Sequence, residues 1–198
     1  MQALEISKLA QIKCKALEKF LVSQELSEFI NPELSFSCGL NLAAQFQKNG
    51  LREEAFREYE SLLKTSSHSN NFLVRVNIGN LHFQEGGYRL AIKMYKMALD
   101  MAPVRFESVK FKIMKNIGRC HIQLREFPEA VIMYEDIIAK YPDFETAFNL
   151  ILCLYVLGDK EKMKKTFSDM IQISKQFLNN LTTRYLIIRN ILECRNRT

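Results

Sequence analysis

Apolar residues recur three and four positions apart through most of the chain, in segments of about 10 to 20 residues. No stretch alternates apolar and polar residues between hairpin turns. The breaks between segments are regular and rich in Gly, Pro and Asn, for example Asn31-Pro32, Asn49-Gly50, Gly86-Gly87 and Gly158-Asp159. The pattern predicts an all-α chain of short helices joined by tight turns.

Two stretches repeat one another 39 residues apart: VNIGNLHFQ from Val76 and KNIGRCHIQ from Lys115. Both continue in the same register, with a small residue twelve positions after the glycine, an aromatic four later and a proline eight after that. This order is typical of the tetratricopeptide repeat, a helix pair of about 34 residues. An upstream copy around Asn41 keeps the register, and a looser copy follows around Asn149.

We therefore predict a tetratricopeptide-repeat superhelix, an α-solenoid of antiparallel helix pairs. About four repeats are predicted, at 36–69, 72–105, 106–143 and 144–176. Residues 1–30 are predicted to form an N-terminal capping helix that packs on the first repeat through an apolar stripe of Leu4, Leu9, Ile12, Ala16, Leu17, Phe20 and Leu21. Residues 180–198 are predicted to form a C-terminal helix that is either a cap or a tail.

Small residues at two positions of each repeat predict where paired helices approach closely. The predicted contacts are Ala43 with Ala55, Gly79 with Ala91, and Gly118 with Ala130. One aromatic side chain per repeat is predicted to fill the space against the next helix, namely Tyr59, Tyr95, Tyr134 and Phe167.

Charge changes this picture little. The net charge is +6, but basic and acidic residues are interleaved, as in LREEAFREYE, which favours solvated helix faces over a nucleic-acid surface. The longest near-apolar run, 148–157, is much shorter than the roughly 20 residues of a membrane span, so no membrane insertion is predicted. The five cysteines lack CxxC spacing, which favours a reducing, cytoplasmic environment.

Motifs of catalysis and of cofactor binding are absent from the sequence. No Ser/His/Asp order, glycine-rich phosphate loop or HExxH occurs, so we predict no enzyme, no cofactor and no metal site. His82 and His121 occupy one repeat position and are predicted to be buried and hydrogen-bonded; a metal pair or a catalytic role is the alternative.

One asparagine recurs at a single register of every predicted repeat: Asn41, Asn77, Asn116 and Asn149. An amide side chain donates and accepts at once, so the four could hold the backbone of an extended peptide on the concave face. The alternative is that they tie neighbouring helices together. Further candidates for peptide contacts on the same face are Asn80, Phe83, Lys112, Lys115, Arg119, Ile122 and Cys153. The basic residues among them favour an acidic peptide.

Several stretches, including VRVNIGNLHFQEGGYRLAIKMYKMALDMAP and AFNLILCLYVLGDKEKMKKTF, resemble the amino-terminal repeat block of the polaris family, the tetratricopeptide subunits of intraflagellar transport complex B. The resemblance implies a noncatalytic scaffold in cilium assembly that is bound to other complex B subunits and located at the cilium and basal body.

Two other functions remain open. One is a general cytosolic peptide-binding adaptor or co-chaperone, although Leu40 and Val76 stand where the carboxylate clamp of chaperone-binding domains would have lysine. The other is a regulatory or substrate-recruiting domain attached in trans to an enzyme. The oligomeric state is not predicted.

Overall fold

The computed structural model describes residues 2–64 and 71–172, and within them the chain is helical without a strand. The helices are α1 (Gln2–Ser23), α2 (Pro32–Lys48), α3 (Arg52–Lys64), α4 (Phe72–Gln84), α5 (Tyr88–Met101), α6 (Glu107–Gln123), α7 (Phe127–Lys140), α8 (Phe144–Leu157) and α9 (160–172). The all-α prediction is confirmed. The C-terminal helix predicted at 180–198 lies outside the described residues.

The chain divides into two compact units, Met1–Ile113 and Met114–Thr198. In the first unit, α1 packs against α2, α2 against α3, α3 against α4, and α4 against α5. In the second unit, α7 packs against α8. The first three predicted repeat windows each contain one short turn between two helices, which makes the paired helices antiparallel neighbours. The repeat bounds themselves stay a prediction.

The turns that follow α1, α2, α4, α6 and α8 share one geometry. The residue in the left-handed region is Glu25, Gly50, Gly86, Arg125 and Gly158 respectively, with φ between 60° and 76°. An amide then bonds back to a carbonyl five residues earlier, as in Gly87 N to His82 O at 2.8 Å and Glu126 N to His121 O at 2.9 Å. These bonds satisfy carbonyls that the helix end leaves unpaired. Glu25 and Arg125 adopt this conformation without being glycine.

A buried tyrosine ring lies against a glycine in two of the helix pairs. A Cβ placed on Gly79 would be 2.6 Å from Tyr95 Cε1, and one on Gly118 would be 2.7 Å from Tyr134 Cζ. The glycines are therefore required by the tyrosine rings that follow them 16 residues later. Ala43, Ala55, Ala91 and Ala130 are all fully buried. Whether Gly79 and Ala91 face each other stays a prediction.

The aromatic side chain that is predicted to be buried in each repeat differs in its burial between the repeats. Tyr59, Tyr95 and Tyr134 are buried, as predicted, but Phe167 is 51% exposed. The prediction for Phe167 is therefore wrong. The other described helices leave about half of this residue's surface accessible to solvent.

The prediction that the apolar stripe of α1 packs on the first repeat is also wrong, because most of the stripe faces solvent. Leu4 is buried and Leu21 is half-buried, but the rest of the stripe is exposed, namely Leu9, Ile12, Ala16, Leu17 and Phe20. Side chains on the opposite, mostly polar side of α1 make the contacts instead: Gln11 Nε2 donates to Glu58 Oε1 at 2.9 Å, and Cys14 Sγ lies 3.4 Å from Ser35 Oγ. Hydrogen bonds to α2 and α3 therefore help to orient this helix, together with the burial of Leu4 and Cys14.

We expect Gly79→Ala to lower the free energy of unfolding by about 1–3 kcal/mol, because the new methyl group overlaps the Tyr95 ring. In an unobstructed helix interior the same change would stabilise by about 0.5–1 kcal/mol. Urea unfolding followed by circular dichroism measures the difference.

Gly87→Ala is the matched control, because its nearest contact, His82 O at 3.4 Å, leaves room for a methyl group. It should change stability by less than about 0.5 kcal/mol. In a Tyr95→Leu background the cost of Gly79→Ala should fall by at least about half, because the two sites interact directly. An undiminished cost would contradict the proposed overlap.

Candidate peptide-binding site

The four asparagines predicted to share one register lie on α2, α4, α6 and α8. In the first unit, Asn41 is exposed and Asn77 is half-buried; in the second unit, Asn116 and Asn149 are half-buried. Each lies on the first helix of its predicted pair. Their accessibility is compatible with contacts to a bound peptide, and their role as peptide ligands stays a prediction.

Two other candidates on α4 already support the fold. Tyr95 Oη donates to Asn80 Oδ1 at 2.7 Å, so this amide holds the buried tyrosine ring of α5. The Phe83 ring lies edge-on to the Tyr88 ring with centroids 5.3 Å apart, across the turn between α4 and α5. Both residues are half-buried and retain some accessible surface. Their substitution would therefore disturb the helix pair as well as any peptide contact.

Lys115 belongs to an ion-pair cluster within the second unit. Its Nζ lies 2.8 Å from Asp143 Oδ1 and 3.4 Å from Glu145 Oε2. Asp143 also caps α8, where it accepts hydrogen bonds from Thr146 N at 3.1 Å and from Thr146 Oγ1 at 2.6 Å. Thr146 is fully buried. The cluster thus joins α6 to the start of α8, and the charge of Lys115 is compensated by this chain's own carboxylates.

Both partners of this ion pair have shifted pKa values. Burial opposes ionisation of Asp143, but hydrogen bonds from Lys115 and Thr146 outweigh it and hold the pKa of the carboxyl below its usual value. Burial likewise disfavours the charged Lys115, but Asp143 and then Glu145 outweigh it and raise the pKa of the ammonium group. Both shifts stabilise the ionised pair.

The remaining candidates for peptide contacts differ in how accessible they are to solvent. Lys112 and Arg119 are exposed on α6, and Ile122 is half-buried. Cys153 is only 1% exposed, and burial raises the pKa of its thiol to about 11. The prediction that Cys153 contacts a peptide is wrong, because its side chain faces the core of the second unit.

The two histidines of the repeated stretch occupy similar positions with different partners. His121 Nδ1 lies 2.8 Å from Glu126 Oε2, across the turn after α6. The His82 ring packs edge-on to Phe56, with centroids 5.3 Å apart. Both are half-buried rather than fully buried. Among the described residues, no cluster of three or more His, Cys, Asp or Glu side chains is arranged to hold a metal ion.

A buried hydroxyl in the second unit was not anticipated from the sequence. Tyr59 Oη donates to Gln47 Oε1 at 3.2 Å and Tyr95 Oη donates to Asn80, but Tyr134 Oη has no hydrogen-bond partner within the described structure. Arg119 stands where Asn80 stands in the preceding copy. The exchange of an acceptor for a cation at this position is the sequence signal that could have revealed the difference.

Comparisons with known proteins agree with this architecture. The tetratricopeptide repeat family matches residues 116–143. The crystal structure of MamA superposes with a TM-score of 0.64 at 15% identity, covering 84% of this chain and 89% of that chain. BtubC (BKLC) from P. vanneervenii superposes with a TM-score of 0.62 at 16% identity, covering 89% and 91%. At these identities the likeness shows the fold, which is that of tetratricopeptide-repeat proteins.

A closer sequence similarity specifies which branch of this class the chain resembles. The human intraflagellar transport protein 88 homolog is 36% identical to it over 171 residues, which is 86% of this chain. The predicted resemblance to the intraflagellar transport subunit is thereby confirmed. The chain spans about a fifth of the length of that relative. None of the described helices combines the length and apolar character needed to cross a bilayer.

We expect Lys115→Met to lower the free energy of unfolding at pH 7 by about 1–2 kcal/mol, between the values of an exposed ion pair and a charge-assisted hydrogen bond. The lowered pKa of Asp143 means that the pair contributes fully above the unfolded value near 4 and is lost as pH falls through the folded pKa. The raised pKa of Lys115 means that the contribution persists up to about pH 10 and is lost above it.

Urea titrations of both proteins between pH 3 and 8 test this expectation. Lys140→Met is the matched control, because its exposed pair with Asp136 at 2.9 Å is an i, i+4 contact worth less than about 0.5 kcal/mol. A stability difference for Lys115→Met that stays constant down to pH 3 would mean that packing, not charge, is responsible.

Tyr134→Phe should leave the free energy of unfolding unchanged or raise it by up to about 1 kcal/mol, because it removes a buried hydroxyl without a partner. Tyr95→Phe should lower it by about 0.5–1.5 kcal/mol, because Asn80 loses its hydrogen bond. Thermal unfolding of the two variants compares equivalent positions. Equal losses would show that Tyr134 Oη has a partner.

Proposed function

We propose that this chain is a noncatalytic interaction scaffold of intraflagellar transport that works in cilium assembly. Its partners are other subunits of complex B, and its location is the cytoplasm, the cilium and the basal body. The observation that carries the proposal is the 36% identity to the intraflagellar transport protein 88 homolog over 86% of the chain. The helix pairs add a physical reason, because such pairs expose one face of each first helix to other polypeptides.

The proposed binding mode uses the asparagines on the first helices. Asn41 and Asn77 serve the first unit, and Asn116 and Asn149 serve the second. Each amide offers one acceptor and two donors, which suits the alternating carbonyl and amide groups of an extended peptide backbone. Lys112 on α6 adds an exposed positive charge that favours an acidic segment. Lys115 is left out of this part of the proposal, because Asp143 and Glu145 already bind it.

The scaffold proposal is tested by affinity capture of the tagged full chain from ciliated cells, followed by quantitative mass spectrometry. Recovery of complex B subunits above an untagged control is the expected result. Enrichment of chaperones without ciliary proteins would replace the proposal with a cytosolic adaptor. Recovery of neither class of protein would overturn both.

The asparagine sites are tested by the double variant Asn77→Ala/Asn116→Ala in the same assay. We expect recovery of complex B subunits to fall about tenfold, equivalent to about 1.4 kcal/mol. The melting temperature should shift by less than about 2 °C, because only half-buried amides are shortened.

The matched control is Glu60→Ala/Lys96→Ala, which changes two exposed polar side chains on the second helices α3 and α5. It should leave both recovery and melting temperature unchanged. A large loss of melting temperature in the asparagine variant would instead assign these amides to helix packing.

A further inference from the structure

Helix α1 packs on the first unit through a mostly polar side. Leu4 and Cys14 are its buried residues. On the same side, Gln11 bonds to Glu58 of α3, and Glu18 accepts a hydrogen bond from Ser35 Oγ of α2. Because these contacts fix the rotation of α1 about its axis, they also fix which side chains point outward.

The outward side of α1 is apolar. Ile6, Leu9, Ile12, Leu17 and Phe20 are between 49% and 64% exposed. Scattered exposed apolar residues are ordinary, but a contiguous stripe along one helix marks an interaction surface. This helix therefore presents to the outside the face that an amphipathic helix normally buries.

The spacing of the outward residues matches a helical partner. Ile6, Leu9, Lys13, Ala16 and Phe20 follow one another at intervals of three, four, three and four residues, and we call this row the α1 seam. Such a spacing places side chains along the contact line between two helices. One charged residue within such a line sets the register and the choice of partner. Lys13 holds that position here, and it is exposed.

The exposed charges of α1 are mainly positive: Lys8, Lys13, Lys15 and Lys19 against Glu5. A partner helix with carboxylates opposite these lysines would gain both attraction and selectivity. A second copy of α1 would bring the same excess of lysine to the contact and be repelled. An anionic membrane surface suits lysines at the edges of an apolar stripe, whereas Lys13 lies within it.

We propose that the α1 seam is a docking site for an acidic amphipathic helix of a partner protein, separate from the asparagine sites of the repeats. Leu9 and Phe20 anchor the partner helix, and Lys13 pairs with a carboxylate in its apolar row. Because the asparagines lie on other helices, the proposal stands independently of the proposed function.

The test uses the full chain and two fluorescein-labelled synthetic helices of three heptads with isoleucine and leucine in the core row. One peptide carries glutamate opposite Lys13 and along its flanks; the other carries lysine at the same positions. Fluorescence anisotropy should show binding of the acidic peptide that is at least about tenfold tighter than binding of the basic one. Added salt should reduce the difference.

Variants of the seam make the test specific. Lys13→Glu should weaken the acidic peptide about tenfold and strengthen the basic one, and Leu9→Ser should weaken both. Since both side chains are exposed, circular dichroism and melting temperature should match the wild type. Ile132→Ser on α7, which is 65% exposed, is the matched control and should bind like the wild type.

Three results would overturn the proposal. The first is equal affinity for the acidic and basic peptides, or no binding of either. The second is a concentration-dependent dimer in sedimentation analysis that Leu9→Ser abolishes, which would make a second copy the occupant. The third is sedimentation with phosphatidylserine vesicles that Leu9→Ser abolishes, which would make a membrane surface the occupant.

Discussion

Two of the helix pairs depend on a tyrosine ring that occupies the space left by a missing side chain. In α4–α5 the Tyr95 ring covers Gly79, and in α6–α7 the Tyr134 ring covers Gly118. In α2–α3 the Leu62 side chain does the same over Gly39, where a Cβ would lie 2.8 Å away. Since interiors are close-packed, neither partner of such a contact is replaceable without rearrangement. The recurrence of glycine and tyrosine along the chain follows from this contact.

A buried tyrosine hydroxyl is satisfied by a side chain on the first helix of its own pair in two cases, whereas the Tyr134 hydroxyl has no such partner within the described structure. Tyr59 uses Gln47 and Tyr95 uses Asn80. This hydrogen bond explains why Asn80, which the sequence places on a predicted binding face, supports the fold as well. The same reasoning applies to Lys115, whose carboxylate partners come from the start of α8. Some polar residues of a helical repeat therefore stabilise the fold, whereas others can bind a partner. The ion pairs and hydrogen bonds within the chain identify the residues that stabilise the fold.

Recognition by this class of protein follows from its construction. Because helix pairs bury one side of each helix against a neighbour, function is left to the sides that remain outward. We propose two such surfaces with different chemistry: the asparagines of the first helices, which suit an extended backbone, and the α1 seam, which suits a second helix. The chain spans about a fifth of the intraflagellar transport protein that it resembles, so both surfaces belong to a region that corresponds to a small part of that relative.

The sequence by itself determined the helical class, the turns at Gly50, Gly86 and Gly158, and the three buried tyrosines, because these follow from local periodicity and from residues that recur at fixed spacing. Tertiary structure alone decided the rest. The stripe of α1 was assigned to the wrong side, because hydrogen bonds from Gln11 and to Glu18, made with α2 and α3, orient the helix. Phe167 is exposed, Cys153 is buried and Lys115 is paired, because each outcome depends on which distant element lies beside the residue, and periodicity along a chain carries no information about that.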